Sequence, residues 1–170
     1  SGALLSEADK TRLRALNREQ ASLTNEFGRR LLAATRAGGV VVDDSTQLAG
    51  LSSGEIAAAA GAATTRGLTG RWLLPLQNTT QQPAQSSLRN RDLRERLFRA
   101  STTRAAHGDS NDTRQIILRL AQLRPERAQI LGFPSFAAYG LDETMAKTPE
   151  NALRLLTQLA APATAKARGE

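Results

Sequence analysis

Few side chains in this sequence could do chemistry. The one histidine, His107, stands beside Gly108, with Asp109 and Asp112 close behind. An imidazole and two carboxylates are metal-ligand types, and a catalytic zinc site takes three protein ligands. Yet the run Gly108-Asp109-Ser110-Asn111-Asp112 has turn composition, and it can cap the helix that follows. His107 therefore reads as a turn residue, and this chain is assigned no catalytic and no metal-binding residue. No cysteine is present, which removes disulfides and thiolate metal sites. No glycine-rich phosphate loop and no serine elbow appears.

A second group is the polar run Gln77-Asn78-Thr79-Thr80-Gln81-Gln82. Six amide and hydroxyl side chains in a row read as a loop, and two uses compete for them. Asn and Thr readily bond their own backbone. The same groups could also line a peptide channel, for which Gln77, Asn78 and Thr80 are the candidate substrate-channel residues. Asn78-Thr79-Thr80 and Asn111-Asp112-Thr113 match the glycosylation pattern, which matters only in a secreted eukaryotic chain.

The elements that position these groups read as helices. Ser6 to Asp9 resembles a capping box. Leu13, Leu16, Leu23, Phe27, Leu31 and Ala34 then mark a first helix within residues 6–38, closed by Gly38-Gly39. Val40 to Val42 and Arg71 to Leu76 are short strand candidates. An alanine-rich helix lies between them, capped by Ser52 and Glu55. Residues 83–170 form a helical core, opened by one helix from Pro83 to about Ala106. The longest apolar pattern runs from Arg114. Ile116, Leu120, Leu123 and Ile130 make one stripe, and Ile117, Ala121, Ala128 and Leu131 make another. Two stripes predict a central helix packed on two sides, with Ile116, Ile117, Leu120, Leu123, Ile130 and Leu131 among the most buried side chains. Phe133, Phe136 and Tyr139 are placed near its end. Pro125 should bend or break it between Ala121 and Pro125, and Gly132 should stop it. A last helix starts at Thr148-Pro149, and Pro162 should interrupt it. The predicted fold is mainly α, a bundle-like helical segment of one domain over residues 1–170 with a small two-stranded β ribbon.

Composition bounds the rest. Hydrophobic residues are 40% of the 170 and aromatics only 4%, so the core rests on Leu, Ala, Ile and Val. The net charge of +7 comes from 23 basic residues, nearly all arginine, against 16 acidic ones. Arg89, Arg91, Arg94, Arg96, Arg99 and Arg104 point all round their helix axis, with Asp92 and Glu95 between them. That scatter reads as a solvated face and argues against a nucleic-acid partner. No apolar run approaches the roughly 18 residues of a membrane span. Ser1-Gly2 reads as a tag scar and residues 1–5 as a lead-in. The last helix carries no stop signal before Glu170, as a cut through a longer protein would leave it.

Several blocks carry a resemblance. Leu123-Arg124, Ala128, Leu131-Gly132-Phe133, Ala137, Tyr139 and Met145-Ala146-Lys147-Thr148 resemble one block of the thimet oligopeptidase and peptidyl-dipeptidase family of zinc metallopeptidases. Gly70 to Pro83, Asn90 to Phe98 and Asn111 to Arg114 resemble its bacterial dipeptidyl carboxypeptidase branch. The likeness runs from Leu5 onward, in order, and Pro125 departs from it. It implies a nearly all-helical parent whose two lobes enclose a deep channel for short peptides. The parent would release dipeptides from the carboxyl end, with zinc held by a His-Glu-x-x-His helix and a further Glu. That helix is not in this sequence, so the chain is expected to be an inactive scaffold and channel-wall segment from the amino-terminal half, itself holding no cofactor. Its partners would be the remainder of the peptidase and short peptides, with self-association of the isolated piece through exposed surface. The implied address is cytoplasmic, the periplasm being the alternative. Two other readings are a stand-alone helical interaction module and, less favoured, a basic nucleic-acid-binding domain.

Overall fold

The computed structural model describes residues 4–170, so the expected tag scar at Ser1-Gly2 lies outside the described residues. Helix makes up 69% of the described residues, beside one small antiparallel sheet. The elements run α1 (Glu7–Ala37), β1 (Val40–Val42), a 3-10 turn (Ser45–Leu48), α2 (Ser53–Thr65), β2 (Trp72–Leu74), α3 (Asn78–Ser87), α4 (Arg91–Thr102), α5 (Arg114–Ile130), α6 (Phe136–Leu141) and α7 (Pro149–Gly169). The mainly α fold and the two-stranded ribbon are as the sequence predicts. Contacts divide the chain into two compact units, Asn25–Ile117 and the pair Ser1–Thr24 with Leu118–Glu170.

The Asn25–Ile117 unit is organised on the ribbon. Val40, Val41 and Val42 pair antiparallel with Leu74, Leu73 and Trp72, as β-branched and large apolar residues favour. Two strands alone would be marginal. Here the ribbon shares one apolar cluster with Leu48, Leu88, Leu93 and Leu97. Ala59 of α2 joins the same cluster, its small side chain letting the helix lie close to β2. The Ser52–Glu55 capping box forms in full. Gly50, at φ +105°, is required by space: a Cβ there would stand 2.1 Å from the Ser87 carbonyl oxygen.

Arginines hold the ends of elements in this unit. Arg66 donates to the carbonyls of Ala37 at 3.1 Å and Gly38 at 2.9 Å, and also to that of Arg36, at the carboxyl end of α1. A cation suits that end of a helix. Arg94 donates to Leu88 and Arg89 carbonyls, Arg96 to that of Val41, and Arg104 to that of Leu76. The solvated face read from the sequence is therefore partly a set of backbone clamps.

Four helix readings differ from expectation. The run from Asn78 is helix, not loop, and Pro83 sits inside α3 instead of starting it. The expected single helix from Pro83 is two, because Leu88 turns extended and buries its side chain while Asn90 caps α4 through the Leu93 amide. α5 runs unbroken through Pro125, so Arg124 is helical, and α7 runs unbroken through Pro162. One proline deletes one amide and crowds one carbonyl; the turns on either side continue.

In the other unit, α5 buries one stripe more than two. Leu123 and Ala128 are buried, while Leu120, Ile130 and Leu131 are half-buried. Ile116, just across the unit boundary, is also buried, but Ile117 is 51% exposed and Phe136 37%. The second stripe thus faces out at its amino end. Gly132 stops α5 as expected, at φ +82°, with Phe133 N–H on the Ala128 carbonyl and Gly132 N–H on that of Gln129. That is the Schellman pattern. Thr148 caps α7 through the Asn151 amide, with Pro149 in the first turn.

Candidate functional site

Of the three candidate channel residues, the structure brings one to a cleft. Gln77 is the extended residue before α3 and is exposed, with no side-chain bond to the helix end. Asn78 is exposed at the first helical position. Thr80, half-buried, lines a cleft of about 270 Å³ between α2 and α3. Ala58, Ala59 and Ala62 form one wall, Thr79, Thr80 and Ala84 the other, and Leu74-Pro75 close the end. Alanines make the groove because they leave the α2 surface shallow.

The mouth carries one charge. The Glu55 carboxylate accepts from the Ser52 hydroxyl and amide, both at 2.7 Å. Those hydrogen bonds, the hydroxyl first, hold its pKa below the ordinary carboxylate value. The arrangement can grip an apolar or backbone-like group through shape and the threonine hydroxyls. It holds no paired nucleophile and base.

Gln81, in the same polar run, does something the sequence reading missed. It is buried, accepts from the Ser101 hydroxyl at 2.9 Å and donates to Gln85 at 3.1 Å, tying α3 to α4. The Gln81–Gln85 spacing of one helical turn is the signal, visible only once the run is taken as helix.

His107 is exposed and lines a cavity of about 210 Å³ with Arg104, Asp109 and Asn111. The nearby carboxylates have other work. Asp109 accepts from the Asn111 amide at 2.9 Å. Asp112 accepts from the Gly108 amide at 2.7 Å and from the Arg114 amide at 2.9 Å, besides the Arg114 guanidinium. That guanidinium, above all, pushes the Asp112 pKa far below the usual range. Among the described residues no group of three His, Cys, Asp or Glu side chains could hold a metal ion. A zinc ion does not fit these donors.

The second unit has a larger concavity, about 480 Å³, lined by Arg127, Phe133, Tyr139 and the acidic pair Asp142 and Glu143. The sequence reading placed these aromatics in the packing near the helix end and gave Arg127 no role. Only the turn at Gly132, which brings Phe133 and Tyr139 back toward α5, makes the cleft.

Residues 84–170, just over half of the chain, match the family model described as Peptidase family M3. The chain belongs to peptidase family M3. The resemblance carried by the Leu131-Gly132-Phe133 and Met145-to-Thr148 blocks falls inside that match. Among curated members of the family, the dipeptidyl carboxypeptidase of Escherichia coli (strain K12) is 51% identical over 170 residues, all of this chain and 25% of that protein. The Salmonella typhimurium protein of the same name is 52% identical over 163 residues, 96% of this chain and 24% of that one. Oligopeptidase A of Escherichia coli (strain K12) is 32% identical over 164 residues, 94% of this chain and 24% of that one. The M3 chain described here thus spans about a quarter of the length of these relatives.

Proposed function

We propose that this M3 chain is a non-catalytic scaffold segment of a zinc peptidase that releases dipeptides from the carboxyl end of short peptides. The observation that carries the reading is 51% identity, along the entire chain, to a protein named dipeptidyl carboxypeptidase. The zinc and the hydrolytic groups would be supplied by sequence outside these 170 residues, since the chain offers a single histidine and the family's chemistry uses a His-Glu-x-x-His pair. Within the segment, the ribbon and its covering helices hold the α2–α3 cleft, and Thr80 would serve as part of a channel wall. Gln77 and Asn78 stand beside it on exposed backbone, free to meet a peptide. The remaining partner is the rest of the peptidase, for which the exposed leucines of α7 offer an apolar face; in the isolated piece that face would promote self-association. The cytoplasm is the proposed compartment, with the periplasm as the alternative. A nucleic-acid role is disfavoured because Arg66, Arg94, Arg96 and Arg104 are spent on backbone carbonyls.

The test has two parts. The reading frame beyond Glu170 should encode His-Glu-x-x-His. The complete protein, given amino-blocked peptides, should release dipeptides from the carboxyl end by mass spectrometry and lose that activity to a zinc chelator. Cleavage only at internal bonds, or a frame that ends without the motif, would overturn the proposal.

A further inference from the structure

We propose that the cleft beside Arg127 binds a zwitterionic dipeptide. Its volume, about 480 Å³, falls within the roughly 300–1,000 Å³ usual for small-molecule sites. Arg127 lines the cleft, with its guanidinium 5.7 Å from the centroid of the Tyr139 ring. Nη1 donates to the Gln20 amide oxygen at 3.1 Å. The opposite edge, formed by Nε and Nη2, has no acceptor among the described residues, and Nε is buried. That edge is the fork that meets both oxygens of a carboxylate. Nη2 is open to a carboxylate oxygen as it stands, and a turn of the guanidinium that uncovers the buried Nε would give its unpaired N–H the second oxygen.

The opposite charge lines the same cleft. Asp142 and Glu143 are exposed, and neither forms an ion pair among the described residues. They suit an ammonium group. Leu131 and the Phe133 and Tyr139 rings line the cleft as well, the rings packed edge to face at 5.4 Å between centroids. An apolar side chain fits there. A cation, an apolar patch and two free carboxylates in one cleft match a small molecule carrying a carboxylate, an apolar side chain and an amine. The choice of a dipeptide, over a single amino acid, rests on the proposed peptidase activity, whose product it would be.

Tyr139 is the only tyrosine of the chain, so ring-labelled tyrosine gives one NMR signal at the site. Titrating the 170-residue chain with glycyl-leucine should shift that signal saturably, with a Kd on the order of 1 mM. N-acetyl-glycyl-leucine lacks the ammonium, and glycyl-leucinamide lacks the carboxylate. Each should bind about tenfold more weakly, the loss of one charged contact. Arg127→Lys should weaken glycyl-leucine and leave the amide unchanged. The exposed double variant Asp142→Asn with Glu143→Gln should weaken glycyl-leucine and leave the acetylated form unchanged, in a chain with the wild-type tyrosine signal. No saturable shift at about ten times the expected Kd, or equal binding of all three compounds, would overturn the inference. Dipeptide release by the complete protein is measured separately, so the failure of one reading leaves the other standing.

Discussion

Arg119 and Glu19, a hundred residues apart, meet in a two-point ion pair, Nε to Oε1 at 2.6 Å and Nη2 to Oε2 at 3.0 Å. Arg119 also reaches Glu126 on its own helix, Nη1 to Oε1 at 3.1 Å. The side-chain hydrogen bond to Arg119 is the largest cause holding the Glu19 pKa below its ordinary value. The forked geometry ties α5 to the first half of α1 at two points, which a single lysine contact would not do. Helical periodicity places Arg119 on the polar side and gives it no weight. The structure gives it a partner far along the chain.

Arg119→Ala is therefore expected to lower stability measurably. Both partners remain more than a third exposed, so solvent screens the pair and the loss should be smaller than for a buried leucine. Thermal melts in low and high salt check this: the difference from wild type should shrink as salt rises. Glu19→Gln should show a similar loss, and the double variant less than the sum of the two.

Leu97 should be among the most damaging positions to truncate. It is fully buried in the ribbon cluster, whereas its neighbour Phe98 is 56% exposed. Leu97→Ala is expected to cost about 2–5 kcal/mol. Phe98→Ala, although it removes a larger side chain, should cost less than about 1 kcal/mol. Urea denaturation of the two variants measures both.

Glu26 makes the Asn25–Ile117 unit sensitive to acid. Its carboxylate accepts from Arg29 and Arg30 on the same helix, and those bonds bring its pKa from 4.5 to about 2. A depressed folded-state pKa contributes stability that is complete above the unfolded value and lost as pH falls through the folded one. The contribution should hold above pH 4.5 and fade toward about pH 2. Melting temperatures recorded across that window should fall less steeply for Glu26→Gln than for wild type.

What was legible in the sequence is what local chemistry decides. Ser52 with Glu55, Gly132, and Thr148 with Pro149 mark helix ends whose caps need only near neighbours. Val40 to Val42 declare a strand by residue type. The polar run at Asn78 was harder, because amides and hydroxyls suit a loop and Pro83 looks like a helix start. Burial on α5 was harder still. Ile116 and Ile117 are equally apolar, and only the elements packed nearby make one buried and the other exposed. Of the channel candidates, Thr80 reaches a cleft because α2 presents alanines opposite it. That pairing joins residues far apart in sequence and has no local signature. The cleft at Arg127 likewise depends on a chain reversal.

Pro125 is the last position where sequence and structure pull apart, and it yields a gain of stability. α5 continues through it without interruption. With no amide at Pro125, the Ala121 carbonyl lacks its partner one turn on. Ala121 and Pro125 are both exposed, so water can serve that carbonyl, and the defect stays on the solvent side of the helix. Arg124, held helical, places its guanidinium 5.3 Å from the centroid of the Phe136 ring. Proline in a helix interior is about 3 kcal/mol worse than alanine, while the stiffer unfolded chain it provides returns about 0.4–1 kcal/mol. Pro125→Ala should thus stabilise the protein by about 1–2 kcal/mol, a fraction of the full difference because the helix has already accommodated the ring. Urea melts should show a higher midpoint with an unchanged slope. A midpoint at or below wild type would mean that the ring holds the helix in the shape that Arg124 and Phe136 require.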